Sequence, residues 1–566
     1  MGFAVMGFGT SRLPDIHPER SQGRWWRQIT VAAACLALVA CSDDISLFEK
    51  KTAKGTIGHV AGFLGGVAAD EPRAALVGRD VLSAGGSAAD AATAIYFALA
   101  VTLPSSASLA GGGSCVVYDN QTKTAEALEF LPRPPARVPS GTSRPSAVPG
   151  NVRGFFILHS KYGILKWSEM VAPAENLARF GHPVSRAFAA RIKGVGDALF
   201  RDAGLKKVFA TKKGKPVGEN DVLTQTDLST VLGRIRARGA GDFYTGPFAR
   251  QVVEAFNGAG GSLTAEDLRD YRPRWMKPIE VPFVQNLKFA FAPPPAAAGA
   301  VTAQMTAMLL ENGFKGAKGD AGKHLLAETA RRAFADRGAW MGPDGALNGA
   351  AGAAALVAEE RMERLMASFD PTKATPSASL NPPPRRRPET PAATSFVVMD
   401  NGGDAVACTV TMNNLFGTGR IARGLGIILA AAPDQRGRTS TPVGPMVVMN
   451  RLHGELFMAA AASGGVVAPT ALATVVGRTM IGEEKLTTAM NAPRVHHGGD
   501  PDVLYYEKTL DAAEVSALQA RGHEVAPVAA LGLVNVTYCA GGMPGNAEFC
   551  TTQTDPRGFG LAVTAD

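Results

Sequence analysis

At 566 residues, with 46% hydrophobic side chains and a formal charge of +8, the chain can bury one large core or two closely packed halves. Part of the positive charge sits in short patches, Arg331-Arg332 and Arg385 to Arg387 among them, with no interleaved aromatics and no nucleic-acid motif. They read as solvated faces and linker charge, and no nucleic-acid partner is expected.

Arg24-Trp25-Trp26-Arg27 precedes an apolar run at 29–40, too short to span a bilayer but suited to the hydrophobic region of a signal peptide. The run ends in Leu38-Val39-Ala40-Cys41, which resembles the lipobox of bacterial lipoproteins. That resemblance implies a signal over 1–41, lipid on Cys41 and a periplasm-facing address in the cell envelope, with membrane contact through the lipid. An uncleaved anchor is the other reading. A polar tether follows over 42–55. Next come an amphipathic helix near 71–83, the glycines of Ala84-Gly85-Gly86-Ser87, an apolar helix at 91–102 and a strand at 114–118. Without a GxGxxG or Walker pattern between strand and helix, these glycines are not a nucleotide loop. Asp90, at the start of the apolar helix, reads as a cap or early-turn charge that favours the helix dipole.

Residues 164–309 read as mostly helical, with Ser168 and Thr264 as capping signals, and a strand interrupts at 283–292. Helices resume at 303–310, 324–337 and 354–368. A structureless linker over 370–393, rich in Pro and Arg near its end, divides the chain into regions 56–369 and 394–566. Beyond it, alternating apolar residues at 395–400 and 404–412 flank Asn401-Gly402-Gly403, the pattern of a β-hairpin.

A hairpin entered from a flexible linker is how an N-terminal nucleophile is exposed after self-cleavage, and Thr394 stands at that point. Its hydroxyl would attack the carbonyl of the residue before it. The α-amino group so freed has a pKa near neutrality and can then serve as base for the same hydroxyl. Of six cysteines, Cys35 lies in the signal and Cys41 would carry lipid. Cys539 and Cys550 bracket a Gly-rich turn and either pair across a hairpin or are unrelated thiols. Cys115 and Cys408 lie inside apolar strands and read as small core residues. His496-His497 read as loop histidines, since no carboxylate cluster completes a metal site around them, and no metal or organic cofactor is expected.

The run GGSAADAATAIYFALAVTLPSSASLAGGGSCVVYD at 85–119 resembles the opening of the large subunit of the gamma-glutamyltransferase family. Val148-Pro149-Gly150, Lys161-Tyr162-Gly163, Phe243-Tyr244-Thr245-Gly246, Pro493-Arg494-Val495-His496-His497 and Asp555-Pro556-Arg557 continue the likeness in order, from about residue 56 to the C-terminus. It implies an α+β fold, a four-layer αββα sandwich of the N-terminal-nucleophile hydrolase type, formed by two regions that stay associated if cleaved. It further implies that Thr411 orients the nucleophile, that Asn413 positions substrate, and that the backbone of Gly464 and Gly465 forms an oxyanion hole.

Three positions depart from the family pattern. Counted back from Thr411 without a gap, the nucleophile's place falls on Ala393; Thr394 takes it only with a one-residue deletion, and such a slip turns side chains to the other face of a strand. The family's Phe-Arg-Glu reads Phe130-Leu131-Pro132, which leaves Arg133 as a displaced carboxylate clamp. Its amino-binding acid is either missing or moved to Asp434, and its serine pair reads Thr441-Pro442. Lost charge-assisted bonds, each on the order of 1.5–3 kcal/mol, argue against efficient glutathione turnover. The expected activity is hydrolysis or acyl transfer at a gamma-glutamyl or related amide of a small molecule or peptide. A catalytically silent binding lipoprotein and an acylase with a non-glutamyl donor are the alternatives.

Overall fold

The computed structural model describes residues 64–142, 145–342, 346–348, 352–383, 393–433 and 443–565. The signal-like run, Cys41, most of the Arg-rich end of the linker, Asp434 and Thr441 lie outside them. Two sheets carry the fold. In chain order their strands are β1 (Gly65–Ala69), β2 (Gly112–Asp119), β3 (Thr124–Phe130), β4 (Arg274–Met276), β5 (Ile279–Pro282), β6 (Leu287–Phe291), β7 (Ala393–Asp400), β8 (Ala405–Thr411), β9 (Met446–Asn450), β10 (Glu455–Ser463), β11 (Leu533–Met543), β12 (Cys550–Thr554) and β13 (Leu561–Ala565). The seven-stranded sheet has the order β13-β1-β7-β8-β2-β3-β4 and the six-stranded sheet β12-β11-β10-β9-β6-β5.

Side-chain alternation along the strands sorts the core into layers. On β7 and β8, Phe396, Val398, Cys408 and Val410 pack with helical residues, whereas Val397, Met399, Ala405 and Ala407 meet Val447, Ala459 and Ala461 of the second sheet. Over the first sheet lie α1 (Pro72–Ser83), α2 (Ala88–Thr102), α3 (Asn151–Tyr162), α4 (Trp167–Phe180), α5 (Arg186–Lys193) and α6 (Thr226–Arg238). Over the second lie α7 (Ala297–Glu311), α8 (Gly319–Trp340), α9 (Ala468–Val476) and α10 (Ala512–Ala520). The result is the expected αββα sandwich. Every residue of α2 is buried, as its apolar character all round requires.

Local differences from the sequence reading have local causes. Thr264 caps its helix reciprocally with Asp267, but Ser168 lies inside α4, whose first turn is closed by Glu169 accepting from the Lys166 N–H at 3.3 Å. Asp90 does act as a cap, paired with Ser87. Helix α7 begins six residues before the expected 303, because an alanine run has high helix propensity and no amphipathic period to reveal it. The helix expected at 354–368 is a 3₁₀ turn at Ala353–Val357 and a shorter helix at Glu359–Met366. Cys539 and Cys550 are bonded across the β11–β12 hairpin. Cys115 and Cys408 are not free core thiols: β2 and β8 pair in a register that sets them face to face, and they form a disulfide over a separation of 293 residues.

Candidate active site

The β7–β8 ladder fixes which side chains meet at the hairpin's open end. Thr411 pairs with Ala393, and Thr394 pairs with Val410. The register is therefore the ungapped one. Residues opposed in an antiparallel pair share a face, so Thr411 shares one with Ala393 and the inter-sheet side chains, while Thr394 points with Phe396 toward the helices. Thr411 and Thr394 are not brought together. Instead, the Thr411 hydroxyl accepts the Asn413 N–H at 3.0 Å.

Thr394 has another partner. Its side chain is fully buried, and its hydroxyl donates to Asp70 Oδ2 at 3.0 Å. Asp70 follows β1 directly, and because β1 runs antiparallel beside β7 with Ala69 opposite Phe396, the next residue arrives opposite the start of the hairpin. The same Oδ2 accepts from the Ser395 N–H at 3.1 Å and from the Ser463 hydroxyl at 2.9 Å, and Oδ1 accepts from Asn535 Nδ2 at 2.7 Å. One carboxylate thus ties β1, β7, β10 and β11 together at one end of both sheets. On the helical side Arg191, from α5, donates to Ser106 Oγ and, at 3.3 Å, to the carbonyl oxygen of Ala393, with Nη2 3.9 Å from Asp70 Oδ2. Burial lowers the pKa of this guanidinium, and the Asp70 charge works against that shift.

Ser463 leads into Gly464 and Gly465, both at positive φ (126° and 74°). A Cβ on Gly464 would stand 2.8 Å from Gly532 Cα, so the close approach of two backbones requires glycine there. The pair opens a 3₁₀ turn that runs into α9, a position where backbone N–H groups are free of intrahelical acceptors. Asn413 is held at φ 59° by its own Nδ2 donating to the Ala431 carbonyl at 2.9 Å. Its Oδ1 is buried with no hydrogen-bond partner among the described residues.

The gamma-glutamyltranspeptidase family model matches residues 74–565. The chain belongs to this family. The glutathione hydrolase proenzyme of Escherichia coli strain K12 is 30% identical over 515 residues, which cover 83% of this chain and 87% of that one. The acylase ACY 1 proenzyme of Pseudomonas sp. strain SE83 is 30% identical over 520 residues, covering 84% and 88%. The crystal structure of cephalosporin acylase from Bacillus halodurans superposes with a TM-score of 0.77 at 22% identity, over 91% of this chain and 99% of that one, and shows the shared fold. The protein is thus a gamma-glutamyltransferase-like member of the N-terminal-nucleophile hydrolases, a class of amide hydrolases and acyl transferases.

Within this gamma-glutamyltranspeptidase frame Arg133 is not a free clamp. It pairs with Glu129 at 2.7 Å and stacks over the Tyr271 ring at 5.1 Å, and Glu129 is shared with Arg274. His496 and His497 are buried on a short strand, Val495–His497, rather than in a loop; His497 Nε2 lies 3.1 Å from Asp502 Oδ1, and His496 Nδ1 lies 2.9 Å from Thr470 Oγ1. Among the described residues one group has metal-ligand composition: His324, Glu328 and His523. Its hydrogen bonds argue against a cation. Arg331 reaches His523 Nδ1 at 3.4 Å, His523 Nε2 reaches His324 Nδ1 at 2.8 Å, and His324 Nε2 reaches the Asp370 carbonyl at 2.9 Å. Two neutral rings satisfy that chain in one direction, while Glu328 is taken by Arg331 and Arg332. Asp70 and Arg191 were not found from the sequence. Only the pairing of β1 with β7 and the packing of α5 bring them to Thr394, and neither carries a spacing signal.

Proposed function

We propose that the protein is an exported lipoprotein that cleaves its own chain before Thr394 and then hydrolyses or transfers the acyl group of a gamma-glutamyl or related amide. The observation that carries this reading is the buried Thr394 hydroxyl on Asp70 Oδ2, which it shares with Ser463, the residue before the glycine pair. Cleavage would supply an α-amino group at Thr394 to activate that hydroxyl. Gly464 and Gly465 would bind the oxyanion, and the unpartnered Asn413 Oδ1 would accept a donor on the acyl group. Since Arg133 is committed to Glu129, acyl groups without a free α-carboxylate fit this reading better than glutathione does. The Leu38-to-Cys41 pattern supports lipid attachment at Cys41, and two disulfides support an oxidising compartment such as the periplasm.

The test is a reduced, denaturing gel of the mature protein. Two fragments are expected, with a new N-terminus at Thr394 by mass spectrometry, and a single band from Thr394→Ala. One observation favours a silent binding relative, namely Ala393 in the place opposite Thr411. A single band from the wild-type protein establishes that second reading and removes the first.

A further inference from the structure

Two charged groups converge on the peptide bond between Ala393 and Thr394, one from each side. Asp70 Oδ2 accepts the Thr394 hydroxyl at 3.0 Å, and Arg191 Nη1 donates to the Ala393 carbonyl oxygen at 3.3 Å. Neither contact belongs to the β ladder. We propose that Asp70 and Arg191 are the catalytic pair of self-cleavage at this bond, Asp70 as the base for the hydroxyl and Arg191 as the electrophile on the carbonyl. This inference rests on the self-cleavage assigned above.

Asp70 takes the proton of the Thr394 hydroxyl as Oγ1 bonds to the Ala393 carbonyl carbon, and negative charge moves onto the carbonyl oxygen beneath the Arg191 guanidinium. The bond from that carbon to the Thr394 nitrogen then breaks, with the nitrogen taking the proton back from Asp70. The product is an ester between Ala393 and Thr394 Oγ1 and a free Thr394 amine. Water hydrolyses the ester, leaving a carboxylate on Ala393 and the hydroxyl on Thr394. Atoms and charge balance, and water is the sole co-reactant. Geometry is the first requirement of a general base, and the pair is held on every side. Asn535 Nδ2 fixes Asp70 Oδ1 at 2.7 Å, Ser463 and the Ser395 N–H fix Oδ2, and Ser106 anchors Arg191. An oxyanion donor in a site closed to water contributes about a hundredfold or more in rate. The offset of Thr394 from Thr411 also acquires a reason: at Thr394 a guanidinium from the helical side and a carboxylate that bridges both sheets stand where the family's threonine partner would otherwise be needed.

The experiment follows full-length protein during maturation by reduced denaturing gel and intact mass, for wild type, Asp70→Asn, Arg191→Met and Arg191→Lys, with the thermal unfolding midpoint of each compared with that of Thr394→Ala. Asp70→Asn and Arg191→Met are expected to mature at least a hundredfold more slowly than wild type while folding as Thr394→Ala does. Arg191→Lys, which keeps the charge, is expected to recover part of the rate. Wild-type cleavage before Thr394 with an unchanged rate in Asp70→Asn overturns the pair and leaves the functional reading standing. A wild-type chain that stays whole, or is cut at another bond, overturns the functional reading itself. Should Asp70→Asn fail to fold, the Arg191 variants decide the question: equal rates in Arg191→Met and wild type overturn the proposal.

Discussion

At the scale of single residues, burial sets the behaviour of the histidines. His523 is held to a pKa of about 3, chiefly by desolvation and further by Arg331 and His324, with Glu328 opposing; burial chiefly brings His182 to about 4, with the hydrogen bond to the Leu177 carbonyl opposing and Arg73 adding to the shift. Both rings stay neutral in the folded protein at pH values where the unfolded chain protonates them, near 6.5. Below that value the unfolded state binds more protons, so the stability these groups contribute is present above pH 6.5 and is lost as pH falls toward 3 to 4. The slope is at most about 1.4 kcal/mol per pH unit for each group. In denaturant titrations between pH 6.5 and 4, His523→Gln should lose stability with a slope smaller by up to that amount than wild type; equal slopes would mean that His523 is charged in the fold. Nothing in the sequence marks His523 for this role, since it follows Gly522 at the end of a surface helix, and its partners come from α8 and the chain after Met366. The place of Thr394 between linker and hairpin was legible, its role as nucleophile being the proposal made above. What stayed hidden was its partner, because Asp70 is 324 residues away.

Elements were legible where local pattern dictated them. The hairpin over β7 and β8 announced itself by a period of two and an Asn-Gly-Gly turn, and it forms within two residues of the expected ends. The Cys115–Cys408 bond could not be read in this way, because β8 reaches β2 only through sheet order. That bond changes how maturation must be observed. Cys115 lies before the proposed cleavage point at Thr394 and Cys408 after it, so protein cleaved there should run as one band on a non-reducing denaturing gel and as two after reduction. In Cys408→Ser two bands should appear without reductant. The same variant should lower unfolding free energy by about 2–5 kcal/mol, the usual loss for a native disulfide. Two non-reduced bands from cleaved wild-type protein would show that the bond is not formed.

At the scale of the whole molecule, the two regions divided by the linker do not correspond to two bodies. Strands β7 and β8 come after the linker yet lie between β1 and β2, which come before it; β9, β10, β11 and β12 likewise join β5 and β6 in one sheet. Periodicity gave strands and helices one by one, but this interleaving is a long-range property, and it was legible only through resemblance to the family. Its consequence is mechanical. Removing the second region would strip both hydrogen-bonding edges from β1 and one from β2, and expose the inter-sheet core around Val116, Tyr118 and Ala127. Unpaired buried backbone groups and exposed apolar surface both oppose this strongly. Cleavage at the linker therefore breaks a covalent bond without releasing a domain. Cleaved protein whose disulfides have been reduced should still elute in gel filtration at the size of the intact chain, and should separate into two peaks only once denaturant unfolds both sheets together. Neither fragment expressed alone should give a cooperative unfolding transition, whereas residues 1–393 and 394–566 produced together should. Separation of reduced fragments in native buffer would mean that the strands of the two regions do not pair as described, and the placement of Thr394 beside Asp70, which depends on the β1–β7 ladder, would fail with it.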